Sequence, residues 1–82
     1  MASDSISQWV ADIHLLTILA QTRSFTQTAR RLGVSKASVS MRIGALERAA
    51  GVPLVQRTTR SVVLTDAGRE LVMDAAPAFE RI

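Results

Sequence analysis

Apolar residues recur along this chain with a helical period, interrupted by short polar or glycine-containing breaks. Residues 1–8 form a polar leader with no such pattern and are expected to be a flexible segment. From Trp9 to Thr22 apolar residues are dense, and Val10, Ile13, Leu16 and Ala20 fall on one helical face. Leu15, Ile18 and Leu19 widen that face beyond a single stripe. Such a helix has two surfaces to bury, one against its own domain and another that could meet a second subunit. Arg23-Ser24-Phe25 breaks the pattern. Thr26 has the side chain of an N-cap, and Phe25 before it is placed to staple onto the next helix. That helix is predicted from about Gln27 to Leu32, with Ala29 and Leu32 facing inward, and Gly33 supplies the left-handed residue that ends it.

A second short helix follows at once. Ser35 caps it, and Val39, Ile43 and Leu46 form its inward stripe at i, i+4 and i+7. Gly51 closes it near Ala50, and Pro53 prevents continuation. Two short helices joined by a glycine-containing turn predict a helix-turn-helix, whose second helix enters the DNA major groove. Lys36, Ser38, Ser40, Met41 and Arg42 fall away from the stripe and are expected to face outward. Leu54 to Arg57 and Ser61 to Leu64 read as two short strands, with Thr58-Thr59-Arg60 at the tip. A hairpin in this place is a wing, and Arg57 and Arg60 beside its tip are suited to phosphates or to a narrow, electronegative minor groove. Thr65 caps a last helix with Asp66 in its first turn. Ala67, Leu71, Ala75 and Ala78, with Val72 and Phe79 nearby, give that helix an apolar face. Pro77 removes a backbone hydrogen bond and predicts a kink or early end. The predicted fold is mainly α: three helices, a two-stranded wing and a C-terminal helix. The expected division is a leader over 1–8, a winged helix-turn-helix over 9–65, and a final helix over 66–82 that is cut short at Ile82.

Charge sharpens the picture. Net charge is +3, but Arg23 to Arg60 holds eight basic residues against one acid, Glu47, a net of +7. The flanks carry a net of −4. A basic middle suits a polyanion on one face and a different role for the ends. With no cysteine, a disulfide framework and a thiolate zinc site are both excluded. An apolar content of 48% is ample for a core in 82 residues. No apolar run approaches the roughly 18 residues of a membrane span, and MASDSIS lacks the basic start and apolar run of a signal peptide. A cytoplasmic protein without a membrane partner is expected. One His, no Cys and no clustered carboxylates argue against an enzyme, and His14 is read as structural.

The stretch SFTQTARRLGVSKASVSMRIGALERAAGVPLVQRTTRSVVLTDAGREL resembles the winged helix-turn-helix domain of LysR-type transcriptional regulators. The resemblance rests on Ser24, Phe25, Thr26, Ala29, Leu32, Ser35, Val39, Ser40, Ile43, Leu46, Glu47, Gly51, Leu54, Arg57, Arg60, Leu64, Thr65 and Gly68, and covers residues 10–82. It implies a sequence-specific DNA-binding module of a bacterial transcription factor. Lys36, Ala37, Ser38, Ser40, Met41 and Arg42 would then contact major-groove base edges. Ser24, Thr26 and Ser35 would hold phosphates, and Arg60, with Arg57 and Thr58 beside it, would approach the minor groove. The final helix would be a linker helix that pairs, with the first helix, into a homodimer on a roughly palindromic operator. A longer regulator could form a tetramer. The resemblance also implies a missing effector-sensing C-terminal half, so that a small-molecule effector is expected there and no cofactor in this stretch. This chain departs from the pattern at Lys36, where Gln is frequent, and at Met41, where Arg or Gln is frequent. Met cannot donate a bidentate hydrogen bond, so a contact there would be apolar, for instance to a thymine methyl. Val55 stands where Phe or Leu is common, and Pro77 is a further departure. A helical module that docks a partner protein would use the same apolar first and last helices; a gel shift at low salt separates the two readings.

Overall fold

The computed structural model describes residues 2–80, with side-chain surroundings for residues 7–74. The element order is α1 (Ala2–Thr22), α2 (Phe25–Leu32), α3 (Lys36–Ala50), β1 (Val55–Arg57), β2 (Val62–Leu64) and α4 (Asp66–Glu80). The mainly helical winged helix-turn-helix is therefore observed. The leader is a correction, because α1 is already helical from Ala2. Gln8 Nε2 donates to Asp12 Oδ1 at 2.9 Å, an i,i+4 bond that supports the first turns without apolar periodicity.

The widened apolar face of α1 supplies the centre of the core. Ile13, Leu15, Leu16 and Leu19 pack with Phe25 and Ala29 of α2, the predicted stripe Val39, Ile43 and Leu46 of α3, Leu54 and Val62. Leu71 and Val72 of α4 lie against this cluster. Ile18 is buried as well, so α1 is covered on more than one side.

The α1–α2 corner differs from the sequence expectation. Ser24, not Thr26, is the N-cap, its Oγ accepting from Gln27 N at 3.1 Å, so α2 begins at Phe25. Both residues have capping chemistry; a contact outside the motif selects between them. Thr22 Oγ1 accepts from Ser24 N at 3.2 Å, donates to Ser24 O at 3.0 Å, and lies 2.7 Å from the fully buried Thr28 hydroxyl. Arg23 ends α1 in the left-handed region at φ 58°, a conformation that a side chain enters at a cost of about 1–2 kcal/mol. Its carbonyl accepts from Val62 N at 3.2 Å, which ties β2 to the corner.

The helix-turn-helix joint follows its glycine. Gly33 has φ 70°, and Gly33 N and Val34 N close the last turn of α2. Ser35 Oγ accepts from Ser38 N at 3.0 Å and opens α3, and Gly51 ends it at φ 76°. The wing is a two-stranded antiparallel sheet with Val55 opposite Leu64 and Arg57 opposite Val62.

Two motif residues hold the wing to the helices. Glu47 Oε2 accepts from Leu54 N at 2.7 Å and Val55 N at 3.3 Å, so a carboxylate of α3 satisfies the backbone entering β1. Glu47→Ala is expected to lose about 1–3 kcal/mol of stability, because those amides are left without their acceptor; urea denaturation measures it. Thr65 Oγ1 donates to Pro53 O at 2.7 Å and accepts from Gly68 N at 3.1 Å, capping α4 and docking it on the same segment. The helix continues past Pro77 to Glu80, so the early end expected there is not found. A proline already holds a helical φ, and the loss of one bond did not stop a helix fixed at its other end. The side chains of Ala75, Ala78 and Phe79, and the residue Ile82, lie outside the described residues.

Candidate nucleic-acid interface

The start of α2, the entrance of α3 and the wing converge on one groove of about 260 Å³. Arg23, Lys36, Arg57 and Arg60 line it with Ser24, Thr26 and Thr58, and no acidic residue does. The groove gathers positive charge from three segments far apart in sequence. Each capping serine uses its oxygen as an acceptor and keeps an O–H to donate, and each cap sits where helix amides carry partial positive charge. Ser24 and Ser35 are therefore suited to the phosphate-holding role that the sequence resemblance implies, Ser24 in the groove and Ser35 exposed outside its lining, while Thr26, which is not a cap, also lines the groove.

The arginines divide into two kinds. Arg57 lies over the Phe25 ring, 4.4 Å from its centroid, and its Nη2 donates to Ser40 Oγ at 3.0 Å. It joins the wing to α2 and to α3 at once. Arg23 Nη2 reaches Ser61 Oγ at 3.4 Å. Arg60 and Lys36 are exposed; the Arg60 amide donates to the Thr58 hydroxyl at 3.2 Å. Thr58 closes the wing turn: its Oγ1 donates to Ser61 O at 2.9 Å and accepts from Ser61 N at 2.9 Å.

Along α3 the expected outward set separates. Ala37 and Met41 are exposed, Met41 with 68% of its surface open, while Ser38 and Ser40 are half-buried. Arg42 is a correction. Its Nε donates to Asp12 Oδ1 at 3.1 Å, and its side chain is only 26% exposed. Arg42 follows Val39 by three residues and precedes Leu46 by four, so it flanks the buried stripe and turns toward α1. There it meets Asp12, a buried carboxylate with no other basic partner among the described residues. Arg42→Ala is expected to destabilise the domain by about 1–3 kcal/mol, since removing one partner leaves a desolvated charge in a pair that water still partly reaches. An Asp12→Ala, Arg42→Ala double-mutant cycle by thermal melting checks the coupling.

Four basic residues of the charged window, Arg23, Arg30, Arg31 and Arg48, are counted in the sequence as charge and not named as contacts. Arg23 enters the groove only because the corner turns sharply at its positive φ. Arg48 was legible: it follows Met41 by seven residues, hence on the same face, and its guanidinium lies near Gly44. Among the described residues no group of three or more His, Cys, Asp or Glu side chains forms a metal site, and no helix is long and apolar enough to cross a membrane.

The sequence profile described as "Bacterial regulatory helix-turn-helix protein, lysR family" matches residues 10–69. The chain belongs to the lysR family. The HTH-type transcriptional regulator PgrR of Escherichia coli is 37% identical over 73 residues, 89% of this chain and 24% of that protein. BudR of Raoultella terrigena, an HTH-type transcriptional regulator, is 46% identical over 57 residues, 70% of this chain and 20% of that protein. The chain thus spans about a fifth to a quarter of the length of these lysR relatives. Among solved structures, a CbnR_DBD–DNA complex is 30% identical with a TM-score of 0.80, over 87% of this chain and 82% of that one. The full-length Vibrio cholerae virulence activator AphB is 31% identical with a TM-score of 0.80, over 87% of this chain and 24% of that one. The fold and the helix-turn-helix are those of a LysR-type DNA-binding domain.

Proposed function

We propose that this LysR-type domain binds double-stranded DNA sequence-specifically, with α3 in the major groove and the wing at the minor groove, as part of a transcriptional regulator. The observation that carries the reading is the acid-free groove in which Arg23, Lys36, Arg57 and Arg60 meet beside the capped start of α2. The similarity to the CbnR_DBD–DNA complex supports it. Lys36, Arg60, Ser24, Thr26 and Ser35 hold phosphates, while Ala37, Met41 and the edges of Ser38 and Ser40 meet base edges. The role is binding, without a catalytic step or a cofactor in these residues. The site of action is the cytoplasm, where the chromosome of a bacterium lies. Sensing of a small-molecule effector and assembly into a tetramer belong to a longer protein.

Two copies act together on this reading. Trp9 and Val10 on α1 and Met73 on α4 are exposed apolar residues on the two helices expected to pair. A homodimer presents two α3 helices to half-sites about 34–36 Å apart, or multiples of that, on a roughly palindromic operator. Electrophoretic shift on a selected duplex tests this: log Kd should depend on log salt with a slope of about 0.9 per neutralised phosphate. A salt-independent interaction, or no shift even at low salt, overturns the reading in favour of a protein-docking module.

A further inference from the structure

Over its first two turns the exposed face of α3 carries few free hydrogen-bonding side chains, and Arg48 joins that face only in the last turn. Ala37, Met41 and Ala45 are exposed along it, with Gly44 between them. Two of the polar residues expected there have partners within the domain. Ser40 Oγ accepts from Arg57, and Arg42 is held by Asp12. Lys36 belongs to the basic groove at the helix entrance, and Ser38 is half-buried at one side. Ahead of Arg48, what α3 offers to the floor of a major groove is a methyl, a long thioether and a second methyl. At Gly44 a Cβ would meet Arg48 Nη1 at 3.5 Å, so the Arg48 guanidinium lies beside the helix backbone there.

A base pair displays four kinds of feature in the major groove: acceptors, donors, ring hydrogens and the thymine 5-methyl. An apolar stripe gains nothing from the first two and buries their hydration at a cost. The thymine methyl is the feature it complements. We propose that this domain selects its half-site chiefly through pyrimidine 5-methyl groups packed against Met41, Ala37 and Ala45, rather than through bidentate hydrogen bonds. The inference rests on the DNA-binding reading above. Met suits the task because its unbranched, polarisable chain adapts to the methyl's position.

Deoxyuridine provides the test, since it removes the methyl and leaves every hydrogen-bonding group in place. A duplex enriched from a random pool by the 82-residue chain is resynthesised with deoxyuridine at each thymine in turn, and Kd is measured by fluorescence anisotropy. One or two positions per half-site should lose about fourfold in affinity, the effect of unburying one methylene-sized group. Met41→Ala should bind more weakly to the thymine duplex and be insensitive to deoxyuridine at those positions. Met41→Arg should shift the enriched sequence toward guanine. Because Met41 is exposed, both variants should melt like the parent. Unchanged affinity with deoxyuridine at every thymine, or undiminished sensitivity in Met41→Ala, overturns the methyl readout while leaving DNA binding intact. Failure to enrich any duplex overturns both.

Discussion

Replacing Gly68 with alanine is expected to remove about 2–3 kcal/mol of stability, a cost typical of forcing one extra carbon into a packed site. Gly68 is buried where the first turn of α4 crosses the backbone of Leu54. A Cβ built there falls well inside contact distance of the Leu54 carbonyl oxygen and lies 3.1 Å from the carbonyl carbon. The obstacle is main chain, so no rotamer change relieves it. That oxygen also accepts from Thr65 N at 3.0 Å, so pushing it away breaks the bond that starts α4. Leu54 itself is fully buried, and Glu47 holds its amide from the other side. For a domain of this size the loss corresponds to a Tm lowered by roughly 10–20 °C, read by circular dichroism. A Gly68→Ala protein that melts with the parent would show that α4 slides without cost.

The second large effect is on DNA affinity and separates the two wing arginines. Arg57→Ala is expected to weaken binding about tenfold or more, because it removes a charge from the groove and the stack that fixes the wing. The stacked contact and the hydrogen bond to Ser40 contribute on the order of 1 kcal/mol each. Arg57→Lys keeps the charge but not the planar face or the second nitrogen. It should therefore restore the salt dependence of binding without restoring affinity. Arg60→Ala should behave differently: binding to all sequences weakens alike, and the salt slope falls by about 0.9. Anisotropy titrations at several salt concentrations distinguish these outcomes. Equal behaviour of Arg57→Lys and the parent would reduce Arg57 to a simple phosphate contact.

The parts of this fold legible in sequence are those decided within a few residues. Ser35, Gly33 and Gly51 mark their turns because capping and left-handed geometry are local, and Val39, Ile43 and Leu46 betray the buried face by spacing alone. The misplaced features depend on distant partners. Ser24 wins the cap over Thr26 because Thr22 and Thr28 hold the corner. Arg42 leaves the reading face because Asp12, thirty residues earlier, is waiting beneath it. Arg57 has the chemistry of a phosphate contact in the sequence, and its stack over Phe25 is not legible there, since nothing local places it on that ring. The basic groove was legible as charge but not as a shape.

The anatomy of α3 has an evolutionary consequence. The residues that keep the domain folded (Val39, Ile43, Leu46 and Glu47) and those turned outward (Ala37, Met41 and Ala45) occupy separate sides of one helix. Exposed substitutions usually alter stability by less than about 0.5 kcal/mol. Paralogues descended from such a domain can therefore drift to new regulatory targets one residue at a time, each intermediate remaining folded, while the scaffold stays recognisable.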